Sequence, residues 1–536
     1  MPRGRGDRNF RVCSCGSSLH NLGCVNLKVL LINSNLKNDI LAAPPIGLCY
    51  VAMATEAAGH VVKVLDLCFL ANNIETELEK SIDSFRPEVV GVSVRNIDNV
   101  NMLHSVSYLP EVVDLVAQIR ALTSVPVVLG GSGASLIPES VLRTVGADYI
   151  VVSDGEESFS SLLKHLETNS SPVNVPGVGF IRDGVFHITP PKLSVFNSSS
   201  PDIGRWVDMT PYQNIGSAYN IQTKRGCRKS CIYCTYNQSL EGNRLRLRPP
   251  VEVVDELEEA YFKYRPQTFE FVDSVFNDPV EYSKSILEEI IRRPWKADFT
   301  AMGVHPRGLD DEYLKLMWKA GFRSFMITPE SVSDEMLKNY RKGFVKEDVI
   351  KAAEAINRTS FSAWWFFMIG GPGETNETVQ ESLDFAMTYL QKKGRPVTHV
   401  AHFFFGVRIY PDTRLWEIAV QEGFINDQTD PGKPLWYVSD RLNLEEAVDQ
   451  MFSVASKCPE IYLGFDERML SFSKAIATFC RIFHRPRPYW KYMRFGNVIG
   501  ITTGLRFIFK PNDAAGFVRE TIKRQRHRGD LTNREN

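Results

Sequence analysis

From Leu27 onward the chain alternates short β-branched apolar runs with longer amphipathic stretches, the pattern of a parallel sheet wrapped by helices. The first runs are KVLLIN from Lys28, VVKVLDL from Val61, EVVGVSV from Glu88, VPVVLGG from Val125 and DYIVVSD from Asp148. Each precedes a segment of helical period, so residues 27–165 are predicted to form a doubly wound, Rossmann-like α/β domain with its ligands at the carboxyl ends of the strands. Residues 166–217, rich in Ser, Pro and Asn, read as a linker with a hairpin turning on Asp183-Gly184. A second series follows near Tyr219, through AYNIQTKRG, FEFVDSV, DFTAMGV, SFMITPE, WWFFMIGG and HFFFGVRIY. Six strand-and-helix repeats predict a partial (β/α)6 barrel of the TIM type over 218–415, with chemistry at the carboxyl-end face. Residues 416–520 read as a mainly helical, substrate-facing region, 521–536 as a frayed tail, and 1–26 as a disordered leader.

At 536 residues the chain exceeds one small core, which agrees with two main domains. Its 62 basic and 63 acidic residues nearly cancel, so charge gives no sign of a nucleic-acid partner. Ten dispersed cysteines in a chain this long point to a reducing, cytoplasmic setting rather than a disulfide framework. The first residues hold no apolar signal-peptide core. No stretch reaches the roughly 18 apolar residues of a membrane span; the nearest, Asn497 to Phe509, carries Arg506. A soluble protein is expected, with contact at a membrane surface left open.

Unusual residues gather at the strand ends of the first series: Pro44-Pro45-Ile46-Gly47, Arg95-Asn96-Ile97-Asp98-Asn99, Gly130-Gly131-Ser132-Gly133 and Asp154-Gly155-Glu156-Glu157. Any one is an ordinary turn, but four on one rim suggest a ligand site. The sharpest local signal is KRGCRKSCIYCTY, where Cys227, Cys231 and Cys234 stand at C-x3-C-x2-C on the loop after the first strand of the second series. Three thiolates can grip one soft metal centre and leave a coordination position open. Structural zinc would want a fourth ligand, and no nearby Cys or His supplies one.

This spacing, with Tyr233 just before the last cysteine, resembles the radical SAM enzymes. The resemblance implies a 4Fe-4S cluster on Cys227, Cys231 and Cys234 whose free iron chelates S-adenosylmethionine, and reductive cleavage to a 5′-deoxyadenosyl radical. Further segments match in order: Phe271-Val272-Asp273-Ser274, Thr328-Pro329-Glu330-Ser331, Arg341-Lys342-Gly343, Met368-Ile369-Gly370-Gly371-Pro372-Gly373-Glu374-Thr375, and GVRIYPDT with Arg408. They imply S-adenosylmethionine contacts at Tyr233, Asp273, Glu330, Ile369, Gly370 and Arg408.

An open α/β domain before such a barrel resembles the cobalamin-dependent (class B) branch of that family, notably in PPIGLCYVAMATEAAGHVVKVLDL, VVLGGSGASLIPESVL and ADYIVVSDGEESF. That implies cobalamin held by Arg95, Asn96, Gly130, Gly131, Ser132, Gly155 and Glu156. The D-x-H-x-x-G motif of corrinoid proteins with an imidazole lower ligand is absent, so Arg95 or Asn96 is expected beneath the metal. The implied function is methyl transfer from S-adenosylmethionine, by way of methylcobalamin, to an unactivated carbon or phosphorus centre of a small molecule, with flavodoxin or ferredoxin as electron donor. Oxidative cyclisation or rearrangement on a tetrapyrrole or lipid scaffold is the alternative, and a non-enzymatic corrinoid carrier or sensor is the alternative of another class. No residue is singled out as catalytic. Trp436, Tyr437 and Ser439 are candidates for lining the substrate pocket, and HRPRPYWKYMRFG for gripping an anionic substrate or membrane face.

Overall fold

A computed structural model describes residues 26–524 apart from 38–41, 71–72, 194–195, 197–199, 392–393, 395–396, 427, 465–466 and 504–515. The expected leader, with Cys13, Cys15 and Cys24, lies outside the described residues but for Asn26, and so does the tail from 525. Each apolar run of the first series becomes a strand: β1 (Lys28–Asn33), β2 (Val61–Asp66), β3 (Val89–Ser93), β4 (Val127–Gly130) and β5 (Tyr149–Val151). They pair in parallel in the order β2-β1-β3-β4-β5. Alternate faces bury different cores. Leu30, Ile32, Val90, Val92 and Leu129 pack on one side and Val29, Leu31, Val89 and Val128 on the other, so both faces are covered by helices.

The hairpin turns where expected, with Asp183 and Gly184 both at positive φ. It does not, however, form part of a free linker. Its strands β6 (Val178–Arg182) and β7 (Val185–Ile188) extend the first sheet, β6 running antiparallel beside β5. A hairpin needs a neighbour to bury its face, and the edge of β5 offers one.

The second sheet contains β8 (Tyr219–Ile221). The chain then makes a two-stranded ribbon, β9 (Lys224–Arg225) with β10 (Arg246–Leu247), that brackets the cysteines. The sheet continues with β11 (Thr268–Phe271), β12 (Asp298–Val304), β13 (Phe322–Glu330), β14 (Ser362–Ile369) and β15 (Thr398–Phe405). A second ribbon joins β16 (Val407–Arg408) to β17 (Trp436–Tyr437), and β18 (Ile461–Leu463) adds a seventh parallel strand beside β15. Six strands were expected; the seventh is three residues within a helical stretch, too short for a periodic signal. The sheet is open, its edges being β18 and β8.

Period-two alternation sorts the side chains of this sheet. Phe269, Phe271, Phe299, Phe325, Trp365, Phe367 and Phe403 enter the large core shared with the surrounding helices. Asn220, Glu270, Thr300, Met326, Phe366, His402 and Phe404 alternate with them and point to the opposite, inner face. No helix among the described residues is long and apolar enough to cross a membrane.

Candidate functional site

The two sheets meet at the carboxyl ends of their strands, and a cavity of about 290 Å³ opens between them. The first domain contributes Arg95, Gly130, Gly131, Ser132, Gly155 and Glu156 to its wall, all expected ligand residues. Asn96 is exposed and not part of this wall. The second domain contributes Asn220, Gln222, Arg225, Tyr236, Glu241 and Met302, which the sequence did not mark because their significance comes only from the facing domain.

The glycines have a definite physical reason. Gly131 has φ +96°, and a Cβ there would come within 2.6 Å of the Val94 carbonyl oxygen; one on Gly133 would come within 3.0 Å of the Arg95 backbone. The loops after β3 and β4 are therefore pressed together, and the Ser132 hydroxyl fixes the arrangement by donating to the Arg95 carbonyl at 2.8 Å. Gly131 and Ser132 thus set the position of Arg95. The guanidinium of Arg95 faces the cavity and acts on Glu270 of β11, whose pKa burial pushes up to about 7 against the opposing pull of Arg95.

Ion pairs clamp the domains around this cavity. Arg225, just before the cysteine loop, donates to Asp154 Oδ1 at 3.1 Å and to Glu156 Oε1 at 2.6 Å, while its guanidinium lies over the rings of Tyr50 and Phe196. Arg246 takes the other Asp154 oxygen. Glu156, expected to contact cobalamin, is therefore engaged across the seam. Arg408, expected to contact S-adenosylmethionine, instead donates to Asp98 Oδ2 at 2.9 Å and to the carbonyls of Ile409 and Leu435. With only 4% of its surface exposed, it is a second interdomain latch.

The cysteine loop is supported from several directions. Asp273 accepts from the Thr223 amide at 2.7 Å, the Thr223 hydroxyl at 2.6 Å and the Lys224 amide at 3.2 Å. This makes it a fastener of the strand entering the loop rather than the free ligand contact expected. The Cys227 amide donates to Gly242 O, and the Ile232 amide to Tyr340 O. Burial raises the pKa of Cys227 and pushes that of Cys234 to about 11, and the neighbouring thiols add to both shifts. Among the described residues, no three His, Cys, Asp or Glu side chains converge on a point where a single ion could bind them all. The thiols lie near enough to raise one another's pKa, so Cys227, Cys231 and Cys234 could together hold one soft metal group.

Beside the cysteines lies a buried triad that joins two expected residues to one with no assigned role. Lys342 Nζ donates to Glu330 Oε2 at 2.8 Å and to the Tyr233 hydroxyl at 3.0 Å. Although burial disfavours its charge, Glu330 and the thiols of Cys231 and Cys234 hold the Lys342 ammonium above its ordinary pKa. Glu330 takes φ +63° to reach this partner. The residue type was visible in sequence, but the role of Lys342 required the fold.

The fifth-strand segment is locked internally. Ile369 is fully buried in the core, and the amides of Gly370 and Gly371 both donate to Glu374 Oε2, at 2.8 and 3.1 Å. A Cβ on Gly371 would overlap the Tyr340 hydroxyl, 2.1 Å away. Ile369 thus directs its side chain away from the cleft, and the N–H of Gly370 is already used. Trp436, Tyr437 and Ser439 are buried as well, with Tyr437 donating to Glu422 at 2.5 Å, so they form core rather than pocket.

Cobalamin would require a wide cleft with polar groups available to its amide arms. The cavity offers such a polar group at its second-domain wall, where the buried Asn220 Oδ1 has no hydrogen-bond partner. Arg95 and the loops after β4 and β5 would hold the opposite side.

Two protein-family models match the chain, "B12 binding domain" over 35–163 and "Radical SAM superfamily" over 221–386, together more than half its length. An uncharacterized methyltransferase of Pyrococcus horikoshii is 26% identical over 74% of this chain and 84% of its own. The tryptophan 2-C-methyltransferase of Streptomyces laurentii is 28% identical over 49% of this chain and 52% of its own. The cytidylyl-2-hydroxyethylphosphonate methyltransferase of Streptomyces wedmorensis is 26% identical over 50% and 59%, so the chain spans little more than half of these last two relatives. The solved structure of the radical S-adenosylmethionine methyltransferase TsrM from Kitasatospora setae, with cobalamin and a 4Fe-4S cluster bound, shares the fold at TM-score 0.76, with 24% identity over 89% of this chain and 99% of that one.

Proposed function

We propose that this chain, which belongs to the cobalamin-dependent radical SAM enzymes, transfers a methyl group from S-adenosylmethionine to an unactivated carbon or phosphorus centre of a small molecule. The observation that carries this reading is the shared cleft. The Arg95 rim faces Arg225 and Tyr236, which bracket the cysteine loop, across one space, and Arg225 and Arg408 tie the two domains together. When bound, the corrinoid supplies a metal that can take up and release a methyl group, and the cluster supplies the electron that cleaves the sulfonium. The chain's own residues arrange that chemistry. Cys227, Cys231 and Cys234 hold the cluster, Lys342 keeps a positive charge beside the thiolates, and the apposed loops exclude water from the space between.

The inner face of the second sheet supports a substrate with an apolar, ring-bearing body. Phe366 and Phe404, both half-buried, lie parallel at 6.2 Å, backed by the fully buried Trp364 and His402. Such a wall offers dispersion and ring-face contacts but little hydrogen bonding. Incubation of reduced holoenzyme with methyl-labelled S-adenosylmethionine and a panel of aromatic and polycyclic substrates tests the assignment. Label should appear in the product at one methyl per turnover. A modified product without label would replace methyl transfer by cyclisation or rearrangement. Activity that survived Cys231→Ala would indicate a corrinoid carrier instead.

A further inference from the structure

The carboxyl-terminal helices close the amino-terminal end of the second sheet, opposite the cysteine loop. One face of the helix Glu467–Ile482 packs inward through Ile476, Ala477 and Cys480, and Trp490 lies 5.0 Å from Trp364. The other face is unusual. Phe479, Ile482 and Phe483 are 51%, 62% and 58% exposed, and Phe495 and Ile499 on the helix Met493–Thr503 are 60% and 62% exposed. These positions form one strip, since Phe479 touches Phe483 at 4.5 Å, the Tyr492 hydroxyl donates to Pro486 O at 3.0 Å, and Tyr492 lies parallel to Phe495 at 6.2 Å. Five large side chains left in water on neighbouring helices exceed the scattered apolar exposure of an ordinary surface.

Charge distinguishes this strip further. The whole chain is nearly neutral, yet from Arg468 to Asn512 the sequence has nine lysines and arginines and no aspartate or glutamate, and although Arg487, Lys491 and Arg494 bond to groups within the fold, others face outward. Arg481, His484 and Arg485 are exposed beside the apolar strip. We infer that this face docks on an anionic membrane surface, with Phe479, Ile482, Phe483, Phe495 and Ile499 entering the headgroup boundary and the arginines meeting lipid phosphates. Aromatic and aliphatic side chains on one helix face with cations at its margin have the form of an interfacial element, and no helix need span the bilayer. A second copy of the chain fits less well, because it would bring Arg481 and Arg485 against their own kind. Nucleic acid would find cations, but it gains little from exposed isoleucines, which cannot stack with bases. Docking by this face leaves the cofactor cleft unobstructed at the other end of the sheet.

The test is sedimentation of anaerobically purified holoenzyme with vesicles of phosphatidylglycerol and phosphatidylcholine in equal parts, and with phosphatidylcholine alone. The protein should pellet at least about tenfold more with the anionic vesicles, and less as salt rises. Phe479→Ser/Phe483→Ser/Phe495→Ser should release it while cluster and corrinoid absorbance stay as in wild type. Arg481→Glu/Arg485→Glu, which changes only exposed residues, should release it too and carries the test if the first variant folds poorly. Equal recovery in the supernatant with both vesicle types would overturn the inference. So would pelleting that neither variant changes, an RNA band shift that both variants abolish in place of vesicle binding, or a dimer that dissociates when the patch is altered.

Discussion

Two groups of buried charge, one at the domain seam and one beside the cysteines, differ in what each cation holds. At the seam, Arg225 serves two carboxylates of the other domain, Asp154 and Glu156, and Arg246 shares the first. Beside the cysteines, Lys342 serves one carboxylate, Glu330, and a phenol, all within the second domain. Guanidinium suits the first task because its planar fork can address two acceptors at once, whereas ammonium is a compact point charge suited to the second. The seam group therefore fixes where the domains stand, and the lysine group fixes the electrostatic setting of the thiolates.

The sharpest way to separate the two is to remove what the lysine group serves. Cys231→Ala should lose cluster iron and all cleavage of S-adenosylmethionine while the first domain still takes up corrinoid. Iron and cobalt content, measured on one sample, check this, and loss of both metals would show that the sites are not separable. Arg225→Ala should have the next largest effect. It strands Glu156 and weakens the hold on Asp154, at a cost of about 3–5 kcal/mol, the usual penalty for breaking a buried pair. Corrinoid retention and denaturant midpoint should fall together, and Arg225→Lys should restore only part, having one donor head where two acceptors wait. A midpoint unchanged in Arg225→Ala would show that the seam does not hold the domains.

Lys342→Met strands a single carboxylate, and Glu330 can escape by taking a proton. We therefore expect a smaller stability loss, about 1–3 kcal/mol. The distinctive effect should be electrostatic. With the cation gone, the reduction potential of the loaded cluster should become more negative, a change that Lys342→Arg largely reverses. An unmoved potential would reduce Lys342 to a packing role.

These two groups also mark how far the sequence could be read. The strands were legible because apolar runs must be buried wherever they lie, and the cysteines because their three ligands sit within eight residues of chain. Arg408 and Glu156 were assigned to ligands because residue type shows that a charge is present but not what neutralises it. Their partners, Asp98 and Arg225, lie 310 and 69 residues away and only the fold brings them near. Lys342 was noted within Arg341-Lys342-Gly343, but its role was hidden for the same reason. Asp273 and Gly370 were recognised as important, but their hydrogen bonds go to the chain itself. The β6–β7 hairpin was found, and its docking on β5 was not, since a hairpin carries no local sign of which edge it joins.

The smallest expected effect concerns a carboxylate with no cation at all. Glu374 is fully buried, and the donors that face it are neutral, the amides of Gly370 and Gly371 and the hydroxyls of Thr378 and Tyr340. Burial pushes its pKa up to about 7 despite these bonds, which is the contrast with Glu330, where a lysine opposes the same cost. In the unfolded chain a glutamate titrates near ~4.3. Between those values the folded state binds the extra proton, so stability is greatest on the acid side of this window and declines as pH rises through it. Glu270, lifted by burial to about 7 as well, adds the same sign. Glu374→Gln cannot ionise, so about 1–2 kcal/mol of the wild-type decline between roughly pH 6 and 8 should vanish while that from Glu270 remains. Urea midpoints at both ends of the range measure it, and parallel slopes for wild type and variant would mean that Glu374 keeps an ordinary pKa through hydrogen bonds alone.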